Sequence, residues 1–106
     1  MTPDLQVDVV PTGGDACTLR LTGTLDINTY DQIEDAFARA MADGRLHITV
    51  DLGGIDFISS AGFGAFIEAL GTLREAEGDL RFVNPSPTAR DIFDLLGVLM
   101  DCCDFD

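Results

Sequence analysis

Two serines stand side by side in DFISSAGFGAF, residues 56–66, where an apolar, strand-like run gives way to small residues and then to a helical pattern. A hydroxyl at such a junction has three uses. It can attack a carbonyl, it can cap the helix that follows, or it can accept a phosphoryl group. Attack requires a base, and the G-x-S-x-G turn that exposes such a nucleophile is missing. The one histidine, His47, lies in a strand pattern about a dozen residues upstream, which is a structural position for a lone histidine. Capping suits serine well, because its oxygen accepts a hydrogen bond from a free amide of the first turn. Phosphorylation suits the place as well. The added charge would meet free backbone amides and the positive helix end, worth about 0.3–1 kcal/mol to an exposed anion. On residue chemistry alone capping is favoured, and phosphorylation is compatible with it.

The other reactive side chains are less informative. Cys17, Cys102 and Cys103 are an odd number with no C-x-x-C and no metal-ligand spacing, so they read as reduced thiols, Cys17 as a small apolar residue. Acidic residues number 19 against 6 basic ones, a formal charge of −13. That surface repels nucleic acid and anionic lipid, and it suits either solubility or a partner with a basic face.

The elements that must position the serines follow from periodicity. LQVDVVPT and CTLRLTGTL read as two strands of a hairpin turning at Gly13-Gly14-Asp15, with Leu19, Leu21 and Leu25 as the inward set. Tyr30, Ile33, Phe37, Ala40 and Met41 then fall on one helical face, with Thr29 and Gln32 as a capping box and Gly44 as the stop. RLHITVDL is a strand with Leu46, Ile48 and Val50 inward. Beyond the serines, Phe63, Phe66, Ile67, Leu70 and Leu73 mark a helix running to Gly78. DLRFVNP is a short strand. Ser86 and Pro87 open a last helix with Ile92, Leu95, Leu96 and Leu99 as its stripe, and CCDFD could add a final strand. The order β-β-α-β-α-β-α predicts one α/β domain over residues 1–106. Its mixed sheet has an antiparallel first hairpin, then parallel β-α-β units, covered by amphipathic helices. The apolar runs are too short for a membrane span, and MTPDLQVDVV lacks the basic and apolar regions of a signal peptide. A cytoplasmic protein is therefore expected.

DLGGIDFISSAGFGAFIEAL resembles the signature of the STAS domain, in particular of small stand-alone anti-sigma factor antagonists. Ser60 matches that family's phosphoacceptor. Ser59 occupies the place where many phosphorylated members carry aspartate, and it is the second choice for the acceptor. Ala61, Gly62, Phe63 and Gly64 complete the motif. LRLTGTLDINT resembles the family's second strand through Gly23, Leu25 and Asp26, and FVNPSPTARDIFDLLGV resembles its closing segment. The likeness spans about residues 5–105.

The resemblance implies partner switching without catalysis. The unphosphorylated chain would bind a serine-kinase anti-sigma factor and free a sigma factor. Phosphorylation of Ser60 would end that complex, and a serine phosphatase would reset it. ATP and magnesium would belong to the kinase; no cofactor or metal is expected here. Asp26, Asn28 and Thr29 would share the partner-binding surface with Ser59, Ala61, Gly62, Phe63 and Gly64. The alternative is a non-phosphorylated STAS scaffold, or a regulatory subunit of a membrane lipid transporter, in which Ser60 would only cap its helix.

Overall fold

Alternation of apolar and polar residues builds the sheet of this computed structural model, which describes residues 5–96. Strands β1 (Leu5–Gly13) and β2 (Ala16–Leu25) pair antiparallel, from Leu5 opposite Gly23 to Gly13 opposite Ala16. Gly13 and Gly14, with φ of 120° and 55°, take the turn between them. Strand β3 (His47–Ile58) pairs parallel with β2, and β4 (Asp79–Val83) pairs parallel with β3, giving the order β1-β2-β3-β4.

One face of this sheet carries Cys17, Leu19, Leu21, Ile48, Val50, Leu80 and Phe82, all buried. Helices α1 (Tyr30–Ala42) and α2 (Ser60–Glu75) are packed with it, burying Ile33 and Phe37 from the first and Phe63, Phe66, Leu70 and Leu73 from the second. Phe66 is the hinge pin of this layer. Its ring meets Phe37 edge-on at 6.4 Å and Phe82 at 5.0 Å, so one side chain ties α2 to α1 and to β4. Helix α3 (Pro87–Leu96) packs along β3, where the Ser86 hydroxyl donates to the Ile55 carbonyl and accepts from the Ala89 amide.

Three expectations are corrected. Strand β3 does not end near Leu52; it continues through Gly53-Gly54 to Ile58. Its pairing with β2 shifts register twice, and from Leu52 onward only every third residue, Leu52, Ile55 and Ile58, is buried. Bulges of this kind change which face a side chain meets, so strict alternation could not follow the strand. Ile67 is not in the buried stripe: it is 41% exposed, while the smaller Ala65 and Ala69 face inward. Thr29 precedes α1, but its side chain makes no capping bond to that helix. The final strand in CCDFD, together with Cys102, Cys103, Leu99 and the side chains of Leu95 and Leu96, lies outside the described residues.

The sheet's lower edge, opposite the serines, is pinned by His47. Its Nδ1 lies 2.8 Å from an Asp79 carboxylate oxygen, and its Nε2 lies 3.4 Å from Asp15. The hydrogen bond to Asp79, with the charge of Asp15 next in weight, raises the imidazole pKa above the ordinary histidine value. A neutral ring has one N–H and can serve only one of the two carboxylates. Because the folded pKa is raised, this contribution to stability is complete below about pH 6.5, the unfolded value, and is lost as pH rises through the folded value. An NMR titration of His47 is expected to give a midpoint above 6.5, lowered more by Asp79→Asn than by Asp15→Asn. A midpoint at or below 6.5 in the unmodified chain would contradict the clamp.

Candidate functional site

Parallel neighbours end on the same side of a sheet, and that places the two motifs together. Leu25 closes β2 opposite Ile58, which closes β3. The loop after β2, residues 26–29, and the start of α2 therefore share the rim beyond the strands' carboxyl ends, where open α/β sheets commonly bind ligands. The Ser59 amide donates to the Leu25 carbonyl at 2.8 Å and fastens the two segments directly.

Ser59 is the cap of α2. Its backbone is extended, with φ −86° and ψ 173°, and its Oγ accepts a 3.3 Å hydrogen bond from the Gly62 amide. Ser60 is the first helical residue and is exposed to solvent. The helix cap is therefore Ser59 and not Ser60. One hydroxyl is turned into the helix end, and the other is presented outward. No acidic residue stands in the first turn of α2.

The 26–29 loop is a tight, self-bonded turn. The Asp26 carboxylate accepts from the Asn28 amide at 2.9 Å, and the Asp26 carbonyl accepts from the amides of Thr29 and Tyr30 at 3.1 and 2.8 Å. The Thr29 hydroxyl donates to the Thr24 carbonyl and accepts from the Asp26 amide, each at 2.9 Å. Thr29 is 3% exposed, and this bonding accounts for a buried hydroxyl. The expected capping box is therefore replaced by a brace that points back to β2. The direction of the threonine bond was not legible in the sequence.

Gly62 and Phe63 are buried, Ala61 is partly buried and Gly64 is exposed. Gly62 is where α2 meets β2 most closely: a Cβ there would sit 2.5 Å from Leu25 Cγ and 2.9 Å from the Leu25 carbonyl oxygen. That carbonyl is already committed to Ser59, so it cannot retreat without breaking the link between the two loops. At Gly71, also in α2, a Cβ would meet nothing within 4 Å. Alanine should therefore have opposite effects at the two positions. Gly71→Ala is expected to stabilise by about 0.5–1 kcal/mol through helix propensity. Gly62→Ala is expected to destabilise by about 1–3 kcal/mol through overpacking. Chemical denaturation of both variants checks the contrast, and equal shifts would refute the close approach.

His47 and Ser60 stand at opposite ends of the twelve-residue β3, and His47 is engaged with Asp79 and Asp15. This geometry removes the serine-nucleophile reading. Among the described residues no helix is long and apolar enough to cross a membrane, and no cluster of side chains has the makings of a metal site.

Comparison with known proteins agrees with this geometry. A family model described as STAS domain matches residues 7–101. The anti-sigma F factor antagonist of Lysinibacillus sphaericus is 31% identical over 81 residues, covering 76% of this chain and 69% of that protein. The crystal structure of an anti-sigma factor antagonist from Mycobacterium paratuberculosis superposes with a TM-score of 0.82 at 21% identity, over 98% of this chain and 87% of the other. SpoIIAA, an anti-sigma factor antagonist, matches in its unphosphorylated form with a TM-score of 0.80 at 24% identity, over 95% of this chain and 88% of that one. Its phosphorylated form gives 0.74 at 24% identity, over 95% and 91%. The superpositions place the mixed four-stranded sheet and its helices in one fold with these proteins.

Proposed function

The chain belongs to the STAS domain family, and on that premise we propose that it is an anti-sigma factor antagonist switched by phosphorylation of Ser60. The observation that carries this reading is the placement of Ser60, exposed at the first position of α2 and tied through Ser59 and Leu25 to the Asp26–Thr29 turn. The names of its relatives, and the existence of SpoIIAA in phosphorylated and unphosphorylated forms, support it.

In the cytoplasm, the unphosphorylated chain docks this rim on a serine-kinase anti-sigma factor and displaces the sigma factor. The kinase, holding ATP and magnesium, transfers the γ-phosphoryl group to Ser60 Oγ. A new O–P bond forms, the bond to the bridging oxygen of ADP breaks, and the hydroxyl proton passes to the kinase. A serine phosphatase restores the hydroxyl by hydrolysis. The chain's own share is to bind and to be modified. Asp26, Asn28 and Thr29 hold the turn, Ser59 caps the helix, Ala61, Gly62 and Phe63 keep the first turn of α2 seated so that Ser60 stands clear, and exposed Gly64 leaves the surface beside it open to the partner.

The switch follows from local charge. A phosphoserine adds about −1.5 to −2 charges near neutral pH. Against one partner carboxylate at about 5 Å, with an effective dielectric of about 20, each unit of charge costs about 3 kcal/mol before salt screening. That is roughly two decades of affinity, with no refolding of the antagonist. A displacement experiment tests the reading: the chain is added to a preformed complex of a serine-kinase anti-sigma factor and its sigma factor from the same organism. Free sigma factor on size exclusion is the expected result. No release from any such complex would overturn the reading and turn attention to a scaffold or transporter subunit.

A further inference from the structure

Among the described residues, one large apolar side chain stands out at the rim that carries Ser60. Ile27 is 65% exposed, more than Val9, Val10, Phe57 or Ile67. A single exposed isoleucine is ordinary on a protein surface. Its setting here is not ordinary, because Ile27 occupies the outer corner of the Asp26–Thr29 turn. That turn is fixed from both sides, by the Asn28 amide on the Asp26 carboxylate and by the Thr29 hydroxyl bridging the Asp26 amide and the Thr24 carbonyl. A side chain held on a rigid turn loses little freedom on being buried by a partner, which is the property of an interface anchor.

Resting on the reading of Ser60 as the switch, we infer that Ile27 is the apolar anchor of the same docking surface. It seats in an apolar pocket of the kinase-type partner whose lysine or arginine rim faces Asp26 and Asp31 on the β2 side, away from the carboxylate that opposes phosphorylated Ser60 on the β3 side. The basic rim follows from charge. Asp26 directly precedes Ile27, exposed Asp31 follows four residues later, and the chain as a whole carries −13. The same charge argues against a second copy of this chain as the occupant, because two such surfaces repel. The arrangement places an apolar anchor on the β2 side of the rim and the modifiable hydroxyl on the β3 side. The anchor gives affinity and the hydroxyl gives control.

The test measures equilibrium affinity of five versions of the full chain for the serine-kinase anti-sigma factors of its organism: unmodified, Ile27→Ala, Ile27→Val, Val9→Ala and Ser60→Asp. Val9, 51% exposed on β1, is the control for loss of another exposed apolar side chain away from the rim. Ile27→Ala is expected to weaken binding about tenfold or more, Val9→Ala to stay within about twofold of the unmodified chain, and Ile27→Val to restore most of the loss. Unchanged amide shifts of Asn28 and Thr29 in Ile27→Ala would show that the turn itself is intact. If Ser60→Asp weakens binding while Ile27→Ala does not, the anchor is refuted and the switch stands. Equal loss in Val9→Ala, or loss accompanied by an unfolded turn, also refutes it. If no kinase binds the unmodified chain, or Ser60→Asp binds as well as the unmodified chain, the reading beneath it fails.

Discussion

Ser60→Asp is expected to bind the kinase-type partner about ten- to a hundredfold more weakly than the unmodified chain, while Ser60→Ala stays within about threefold of it. The aspartate carries one negative charge where phosphoserine carries up to two, so it reproduces part of the roughly 3 kcal/mol cost of one like-charge contact at about 5 Å. In the isolated chain the same substitution has the opposite sign. Ser60 is the first residue of a sixteen-residue helix with no acidic residue in its first turn. A carboxylate there meets the free amides and the positive helix end, and should stabilise the fold by about 0.3–1 kcal/mol. Calorimetric titration against the partner and chemical denaturation of the free chain read these two effects separately. A variant that is more stable yet binds worse cannot owe its weakness to misfolding. Tight binding by Ser60→Asp would remove electrostatic control from Ser60.

The second large effect lies beneath the site. Phe66→Ala is expected to destabilise the chain by about 3–5 kcal/mol, the range for truncating a fully buried aromatic ring. Phe66 is 0% exposed and makes edge contacts with both Phe37 and Phe82, so its loss opens a cavity where α1, α2 and β4 converge. Domains of this size are stable by about 5–15 kcal/mol in total, so the variant should unfold at clearly lower denaturant. Phe66→Leu keeps most of the volume and should recover about half of the loss. A loss below about 1 kcal/mol for Phe66→Ala would mean that α2 is not held by this cluster.

Much of this arrangement is legible in the chain because local signals agree with one another. The Gly13-Gly14 turn, the 3.6-residue spacing of Ile33 and Phe37, and Ser86 before Pro87 each name an element and one of its ends. The misreadings arise where a second physical effect overrides the local one. The register shifts in β3 broke the alternation through Gly53-Gly54 and hid that one strand runs on to Ile58. Close contact of α2 with α1 and the sheet selected Ala65 and Ala69 as inward residues and left Ile67 outside. Thr29 looked like a cap facing α1, but the orphaned Thr24 carbonyl and Asp26 amide claimed its hydroxyl first. Ile27 left no signal, because an exposed apolar residue in a turn acquires meaning only once the turn is seen to be locked beside Ser60. Which serine caps α2 was likewise invisible in the pair itself; it depends on which residue takes the extended backbone of the cap.

Phosphorylation itself is the most direct test. The full chain would be incubated with each serine-kinase anti-sigma factor of its organism and ATP-magnesium, weighed intact, and mapped by peptide fragmentation. A gain of one phosphoryl group with at least one kinase is expected, located on Ser60 and abolished by Ser60→Ala. A folded chain that gains nothing with any of them, or that gains its phosphoryl group on the capping residue Ser59, would contradict the switch at Ser60.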